Sequence, residues 1–270
     1  MPPARAVFYA ATVVALTLSA RALVHPVPLG WAVVALVAYV AGVLAGVLVL
    51  RLRVFVDAVV EGPRGVRGIV LTFDDGPDVR STPRVLDILE RAGVSATFFV
   101  IGKKAEVHPE LVRDMVRRGH TVGLHSYAHD RLFALRSEGW VRDDLERGMG
   151  TLEAILGERP RLFRPPIGHT NPRIARVIQG LGLVVIGWTV SGGDGVRTDP
   201  ERVAARVRGR LRDGAIVLLH DAAERGDYEP AGPRALAEVL EASEARGIEV
   251  VALETWLDML SPPSLPATPS

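Results

Sequence analysis

Gly68 to Pro77 reads GIVLTFDDGP, an apolar run that ends in two adjacent carboxylates and a turn. The run is rich in β-branched and apolar residues with no polar alternation, the pattern of a strand buried on both faces of a parallel sheet. Gly76-Pro77 stops it. Asp74 and Asp75 therefore stand at the carboxyl end of a strand, where open α/β sheets and barrels carry their chemistry. In a site without a cation, two neighbouring carboxylates repel and the pKa of one rises; a metal removes that conflict. An acidic turn with no further role uses the same residue types, so the choice rests on what the remaining chain supplies.

Outward from this stretch, apolar β-type runs alternate with amphipathic helical ones. Strand-like runs cover Gly68 to Phe73, Ala96 to Ile101, Thr121 to Leu124, Arg161 to Arg164, Val184 to Trp188, Ala215 to Leu219 and Glu249 to Leu253. Helical patterns fill the gaps. One opens at Thr82-Pro83, runs to Arg91 and closes near Gly93; others cover about Pro109 to Arg118, Glu138 to Leu156, Pro172 to Gly180, Pro200 to Arg212 and Pro233 to Arg246. Such alternation builds a parallel sheet, and about seven units in roughly 190 residues suggest a distorted, barrel-like α/β closure.

The 270 residues are 48% hydrophobic and 23% charged, enough for one medium-sized domain plus an appendage. Residues 1–50 contain Arg5 and Arg21 and no acid, which leaves 30 basic against 31 acidic side chains for the remainder. That balance argues against a nucleic-acid partner. The absence of cysteine excludes disulfides and thiolate metal sites. Residues 29–50 carry no charge and are long enough to cross a bilayer. Residues 6–20 fit either a short transmembrane helix or the core of a signal peptide, with Ala20-x-Ala22 as a cleavage pattern. His25-Pro26-Val27-Pro28 reads as the turn between the two runs. The expected division is a membrane anchor over 1–53, a linker over 54–65, a domain over 66–260, and a tail over 261–270 (SPPSLPATPS) too rich in Pro and Ser to pack. If both runs cross, Arg51, Arg53, Arg64 and Arg67 put the domain on the cytoplasmic side; if only the second crosses, with the amino terminus inside, the domain lies outside.

Further chemistry-bearing residues fall at other predicted strand ends. His125 and His129, in HSYAH, reach one ion together if the segment is a helical turn. With Asp75 they make a two-His, one-carboxylate set that leaves positions open for water and substrate. Arg164, in RPPIG, can hold a carboxylate bidentately, and Asp74 is its natural client. Asp194 is the acid of WTVSGGDG. His220 ends the run IVLLH and can act as a general acid, kept protonated by a neighbour such as Asp194. His108 and His120 read as capping or surface residues, and Trp140 and Trp256 as core.

In this order and spacing, TFDDGP, HSYAH, RPPIG, WTVSGGDG and IVLLHD resemble the five motifs of the polysaccharide deacetylases, the NodB-homology or carbohydrate esterase family 4 enzymes, over roughly residues 66–255. The resemblance implies a distorted (β/α) barrel and a divalent metal; the donor set itself suits zinc first, with cobalt, nickel or manganese as alternatives. It also implies hydrolytic removal of N-acetyl groups from amino sugars. By motif, Asp74 is the catalytic base, Asp75, His125 and His129 are metal ligands, Arg164 orients the base, and Asp194 supports the acid His220. Pro165, Pro166, His169 and Trp188 are expected near the substrate. Members commonly read DxxDW in the fourth motif; here Ser191 and Gly195 replace its first Asp and its Trp, which removes an aromatic wall and bears on substrate choice. A tethered enzyme acts near the bilayer, so the expected partners are the membrane and an N-acetylated amino-sugar polymer, peptidoglycan or a surface glycan, with the domain outside. A lipid-linked amino sugar, met by a deacetylase or deformylase, is the alternative, and a non-catalytic carbohydrate-binding member is the rival from another class. Nothing in the sequence speaks to oligomeric state.

Overall fold

The computed structural model describes residues 1–260 apart from Arg197 and Asp227; the tail 261–270, expected not to pack, lies outside the described residues. Two long helices come first, α1 (Pro3–Ala22) and α2 (Leu29–Leu48). The domain follows as β1 (Ala58–Val59), β2 (Val70–Asp74), α3 (Thr82–Ala92), β3 (Thr97–Val100), α4 (Gly102–Val107), α5 (Pro109–Arg117) and β4 (Thr121–Leu124). Then come α6 (Glu138–Leu156), β5 (Leu162–Phe163), α7 (Pro172–Gly180), β6 (Val184–Ile186), β7 (Val190–Ser191), α8 (Pro200–Arg208), β8 (Ile216–His220), α9 (Gly232–Glu244) and α10 (Leu253–Leu260).

The eight strands lie in the order β1-β6-β5-β4-β3-β2-β8-β7, and every ladder is parallel. The central strands are buried on both faces, as GIVLTF and IVLLH require. β6 lies second from one end of this order, beside β1, and β7 at the other end, yet only Gly187, Trp188 and Thr189 join them. That connection spans at most about 14 Å, so the sheet must curl until its two ends nearly meet. The result is a half-barrel with a gap crossed by Trp188. Register then does much of the positioning: Asp74 is paired with His220 on one side and Phe99 on the other.

Helix ends follow their signals. Asn171 and Asp199, each before a proline, accept backbone N–H groups at the starts of α7 and α8, and Ser137 does so for α6. Three features differ from expectation. Glu249 to Leu253 makes one bridge, Ile69 to Val250, and the chain then enters α10, because Leu253 and Trp256 bury themselves at helical spacing. Residues 54–65, expected as a linker, are packed from Val54 on: Val54, Val56, Ala58 and Val60 alternate into the core and β1 joins the sheet. His120 is buried and its Nδ1 accepts the Ala96 N–H, so it is neither a cap nor a surface residue.

The amino-terminal helices form an antiparallel hairpin whose two ends are tied at the domain side. Arg5 donates to the Val54 carbonyl at 2.9 Å and pairs with Asp57. Thr12 Oγ1 and Tyr39 Oη are 3.1 Å apart, and Phe8 stacks on Tyr39. Both helices are long and apolar enough to cross a membrane by length and composition, and Leu16, Trp31 and Val37 are exposed on their outer faces.

Candidate active site

Successive side chains of a strand point to opposite faces, so two adjacent aspartates would normally diverge. Asp75 has a φ of 76° and leaves the strand in the left-handed region, which aspartate tolerates better than most residues. The kink turns the second carboxylate to the side already occupied by the first. The HSYAH loop, expected as a helical turn, is not helical. It bends through left-handed Ser126 and His129, held by Asp144 of α6, which accepts the Tyr127 and Ala128 N–H groups at 2.9 and 3.0 Å. The convergence that the spacing promised is reached by a different backbone.

His125 donates from Nδ1 to the Arg164 carbonyl at 2.7 Å, which leaves its Nε2 lone pair free. That Nε2 lies 3.1 Å from His129 Nε2 and 3.6 Å from Asp75 Oδ1, and His129 Nε2 is 3.3 Å from the same oxygen. The three donor atoms all lie within 4.8 Å of one another. Burial pushes both imidazoles down to about 3, with His125 adding to the effect on His129. Burial likewise lifts Asp75 to about 7, opposed by His220 and reinforced by Asp74. Asp75 Oδ1 is buried without a hydrogen-bond partner. Neutral imidazoles and an orphaned carboxylate oxygen, all aimed at one point, are a donor set that a divalent cation fits.

Arg164 is fully buried and every donor group has a target. Nη1 reaches Asp74 Oδ1 at 2.7 Å and Thr72 Oγ1 at 2.9 Å, Nε reaches the Ile186 carbonyl and Nη2 the Gly187 carbonyl, both at 3.0 Å. The guanidinium also lies 4.2 Å from the centre of the Phe99 ring. Burial pulls its pKa down and Asp74 holds it up. Removing one partner of such a pair strands the other charge, so Arg164→Ala is expected to cost about 3–5 kcal/mol of stability. Thermal unfolding of the detergent-solubilised full chain checks this, and a shift within error of the wild type would show that Asp74 finds its charge balance elsewhere.

On the opposite wall, Asp194 is fully buried and grips His220 twice, accepting its backbone N–H at 2.7 Å and its Nδ1–H at 3.0 Å. Burial alone would depress His220; the Asp194 carboxylate, with Asp75 and Asp74 behind it, outweighs burial and raises it to about 9. His220 Nε2 then faces the cleft, 3.9 Å from Asp75 Oδ2.

Asp74, Asp75, His125, His129 and His220 line one cleft of about 450 Å3, and Trp188, Ile167, Gly195 and Val196 form its rim. Arg164 and Asp194 stand behind it. Trp188 lines the cleft, whereas Pro165, Pro166 and His169 do not; their loop presents Ile167 and Gly168 instead. A Cβ at Gly195 would come within 3.0 Å of His220 Nε2, so the absence of a side chain there opens the space over the imidazole.

Several residues of the site escaped sequence reasoning. Glu224, four residues after His220, faces His129 Nδ1 at 3.4 Å and is itself held by Arg131. Lys104 donates to the carbonyls of Asp75 and Ala223 at 2.6 and 2.5 Å and so pins the kink. Asp221 is buried, lifted to about 6 by that burial, and accepts from Thr82. The only signal for Lys104 is its rarity, one of two lysines in the chain.

A cation seat between a carboxylate held by arginine and a protonated histidine defines a hydrolytic metal centre on a parallel half-barrel. The sequence profile of the family described as polysaccharide deacetylase matches residues 61–186. A chitooligosaccharide deacetylase of Bradyrhizobium is 34% identical over 194 residues, 69% of this chain and 89% of the relative. The chain therefore belongs to the polysaccharide deacetylase family. Among solved structures, the peptidoglycan deacetylase PdaC from Bacillus subtilis matches with a TM-score of 0.65 and 28% identity, over 73% of this chain and 92% of that one. A carbohydrate esterase family 4 pseudoenzyme from Bacillus anthracis matches with a TM-score of 0.67 and 27% identity, over 74% of this chain and 68% of that one. The same fold thus occurs in a deacetylase and in a pseudoenzyme, and activity has to be argued from the site.

Proposed function

We propose that this chain is a membrane-anchored, metal-dependent N-deacetylase of N-acetylhexosamine units in a cell-envelope glycan, with zinc as the resident ion. The observation that carries the reading is the simultaneous presence of Asp74 on Arg164, the Asp75, His125 and His129 donor set, and His220 on Asp194, around one cleft. A carbohydrate-binding module needs neither a base nor an acid. The relatives named as chitooligosaccharide and peptidoglycan deacetylases support the substrate class.

Asp75, His125 and His129 would hold the ion, which when bound polarises a carbonyl and acidifies water. Asp74 keeps Oδ1 on Arg164 and has Oδ2 free to accept a proton from attacking water. His220 Nε2 carries the proton that the leaving nitrogen must receive, because an amide anion is a prohibitively poor leaving group. Glu224 stands where a carboxylate orients a metal-ligating imidazole through its second nitrogen. Ile167 and Trp188 are the apolar surfaces offered to the sugar ring. The hairpin of α1 and α2 is the anchor, and the burial of Val54 and Val56 extends the catalytic domain back to residue 54. A polymer substrate requires this domain outside the cell; a sugar on a lipid carrier can be met on either side.

Acetate release from N-acetylglucosamine oligomers and purified peptidoglycan tests the reading directly. Chelation is expected to abolish release and added zinc to restore it. Tight, stoichiometric zinc binding without acetate release from any acetylated sugar would overturn it.

A further inference from the structure

The membrane helix ends against the catalytic edge of the sheet. The Thr170 N–H donates to the Val47 carbonyl at 3.0 Å, in the last turn of α2. Leu50, just beyond, is buried over Gly187, where a Cβ would come within 3.2 Å of it. The Gly187 carbonyl accepts from Arg164, the residue that holds Asp74. The cleft therefore opens beside the point where the chain leaves the bilayer.

A second cavity, of about 250 Å3, lies at that junction. Leu48 and Leu50 close it on the helix side, and Arg51, Arg206 and Arg210 supply its charge. Among the described residues no carboxylate lines it. Arg206 Nε donates to the Ser191 carbonyl at 3.0 Å, which fixes that side chain at the cavity wall. Among the described residues none of the three arginines forms an ion pair, whereas Arg131, Arg176 and Arg212 elsewhere on the surface each have a glutamate. Arg51 alone would be an ordinary membrane-interface arginine. Arg206 and Arg210 come from the domain and meet it at one spot, which is the arrangement for a phosphate. Trp188 lines both this cavity and the catalytic cleft, so a single indole separates them. On the cleft's rim Ile167 and Val196 are 44% and 89% exposed, an apolar edge to the cleft.

We propose that the arginine cavity binds the phosphate of a lipid-linked amino sugar, so that the cleft deacetylates an N-acetylhexosamine carried on a phospholipid-type carrier at the bilayer surface. This rests on the deacetylase reading and puts a lipid-linked sugar in place of the polymer as its substrate. An uncharged oligosaccharide has no group for three unpaired arginines. A sugar attached through phosphate to a lipid has its anion next to its first ring, on the membrane side, where this cavity lies.

The test uses the full chain in nanodiscs, with N-acetylglucosamine linked to polyprenyl phosphate as one probe and an N-acetylglucosamine tetramer as the other. For R206Q/R210Q, which keeps polar side chains on an exposed surface, the rise in KM for the phosphate-linked sugar is expected to exceed the change for the tetramer by at least about tenfold. Similar changes for both probes would overturn the proposal. Nanodiscs of phosphatidylcholine and of phosphatidylglycerol separate the two sources of phosphate. If the variant's defect follows the bilayer's charge and not the substrate's phosphate, the cavity is a headgroup site and the proposal fails. Equilibrium binding of the phosphate-linked sugar to Asp74→Asn, with and without R206Q/R210Q, keeps this question apart from catalysis. Weaker binding by at least about tenfold supports the phosphate site even if no sugar is ever turned over, and unchanged binding overturns it.

Discussion

Asp74→Asn is expected to lower kcat by about 10²–10⁴-fold, the usual worth of a positioned general base, with metal stoichiometry and substrate affinity kept. The split follows from the geometry. Asp74 is not in the three-atom donor set, so a divalent ion is still expected to bind to Asp75, His125 and His129. Arg164 loses its charged partner but retains Thr72 Oγ1 and the carbonyls of Ile186 and Gly187, so the side chain stays in place. What disappears is Asp74 Oδ2, the carboxylate oxygen that the proposed reaction uses to take a proton beside the cation seat. Acetate-release kinetics with metal analysis on the same preparation read both halves. Loss of metal together with turnover would mean that Asp74 is a ligand, and retained turnover would move the base to Asp75 or Glu224. The Bacillus anthracis pseudoenzyme shows why this variant matters: likeness of fold extends to chains described as inactive.

Much of this site could be read from residue order because strand ends are collinear with the chain. Once β2 and β8 are recognised as parallel neighbours, Asp74 and His220 become partners by register alone. Arg164 and Asp194 follow for the same reason, each just after a strand. The backbone that delivers the ligands was not legible. His125 and His129 suggested a helical turn, whereas two left-handed residues and a clamp from Asp144 bring them together. A spacing of four fits either geometry, and only the tertiary clamp selects one. β1 escaped because two residues carry no period, although Val54, Val56, Ala58 and Val60 alternate in plain view. Glu224 and Lys104 escaped because a charged residue on a loop looks solvated until its partners are placed. The cavity of Arg51, Arg206 and Arg210 joins residues about 150 positions apart, a distance over which pattern says nothing.

Asp194→Asn is expected to move the alkaline limb of kcat/KM from near pH 9 to below neutrality and to lower the rate at pH 8 by about 10²-fold or more. The direction comes from two opposing influences on His220. Burial favours the neutral imidazole, as it does at His125 and His129, which it depresses to about 3. The Asp194 carboxylate, 3.0 Å from Nδ1, is the largest influence that reverses this, with Asp75 and Asp74 adding to it. With Asp194 intact, His220 holds its proton up to about pH 9, and in the proposed reaction it is then available to the leaving nitrogen across the neutral range. The same raised pKa makes the protonated imidazole a stabilising element below about pH 6.5, the ordinary value for histidine, and that contribution is lost as pH rises through about 9. Asparagine preserves size and can still accept one of the two hydrogen bonds, so the imidazole stays roughly in place while its proton leaves at lower pH. A pH–rate profile on the N-acetylglucosamine tetramer, run beside a thermal-unfolding series over the same pH range, separates this from a folding defect. A limb that stays near pH 9 in the variant would show that Asp75 and Asp74, and not Asp194, hold the proton on His220.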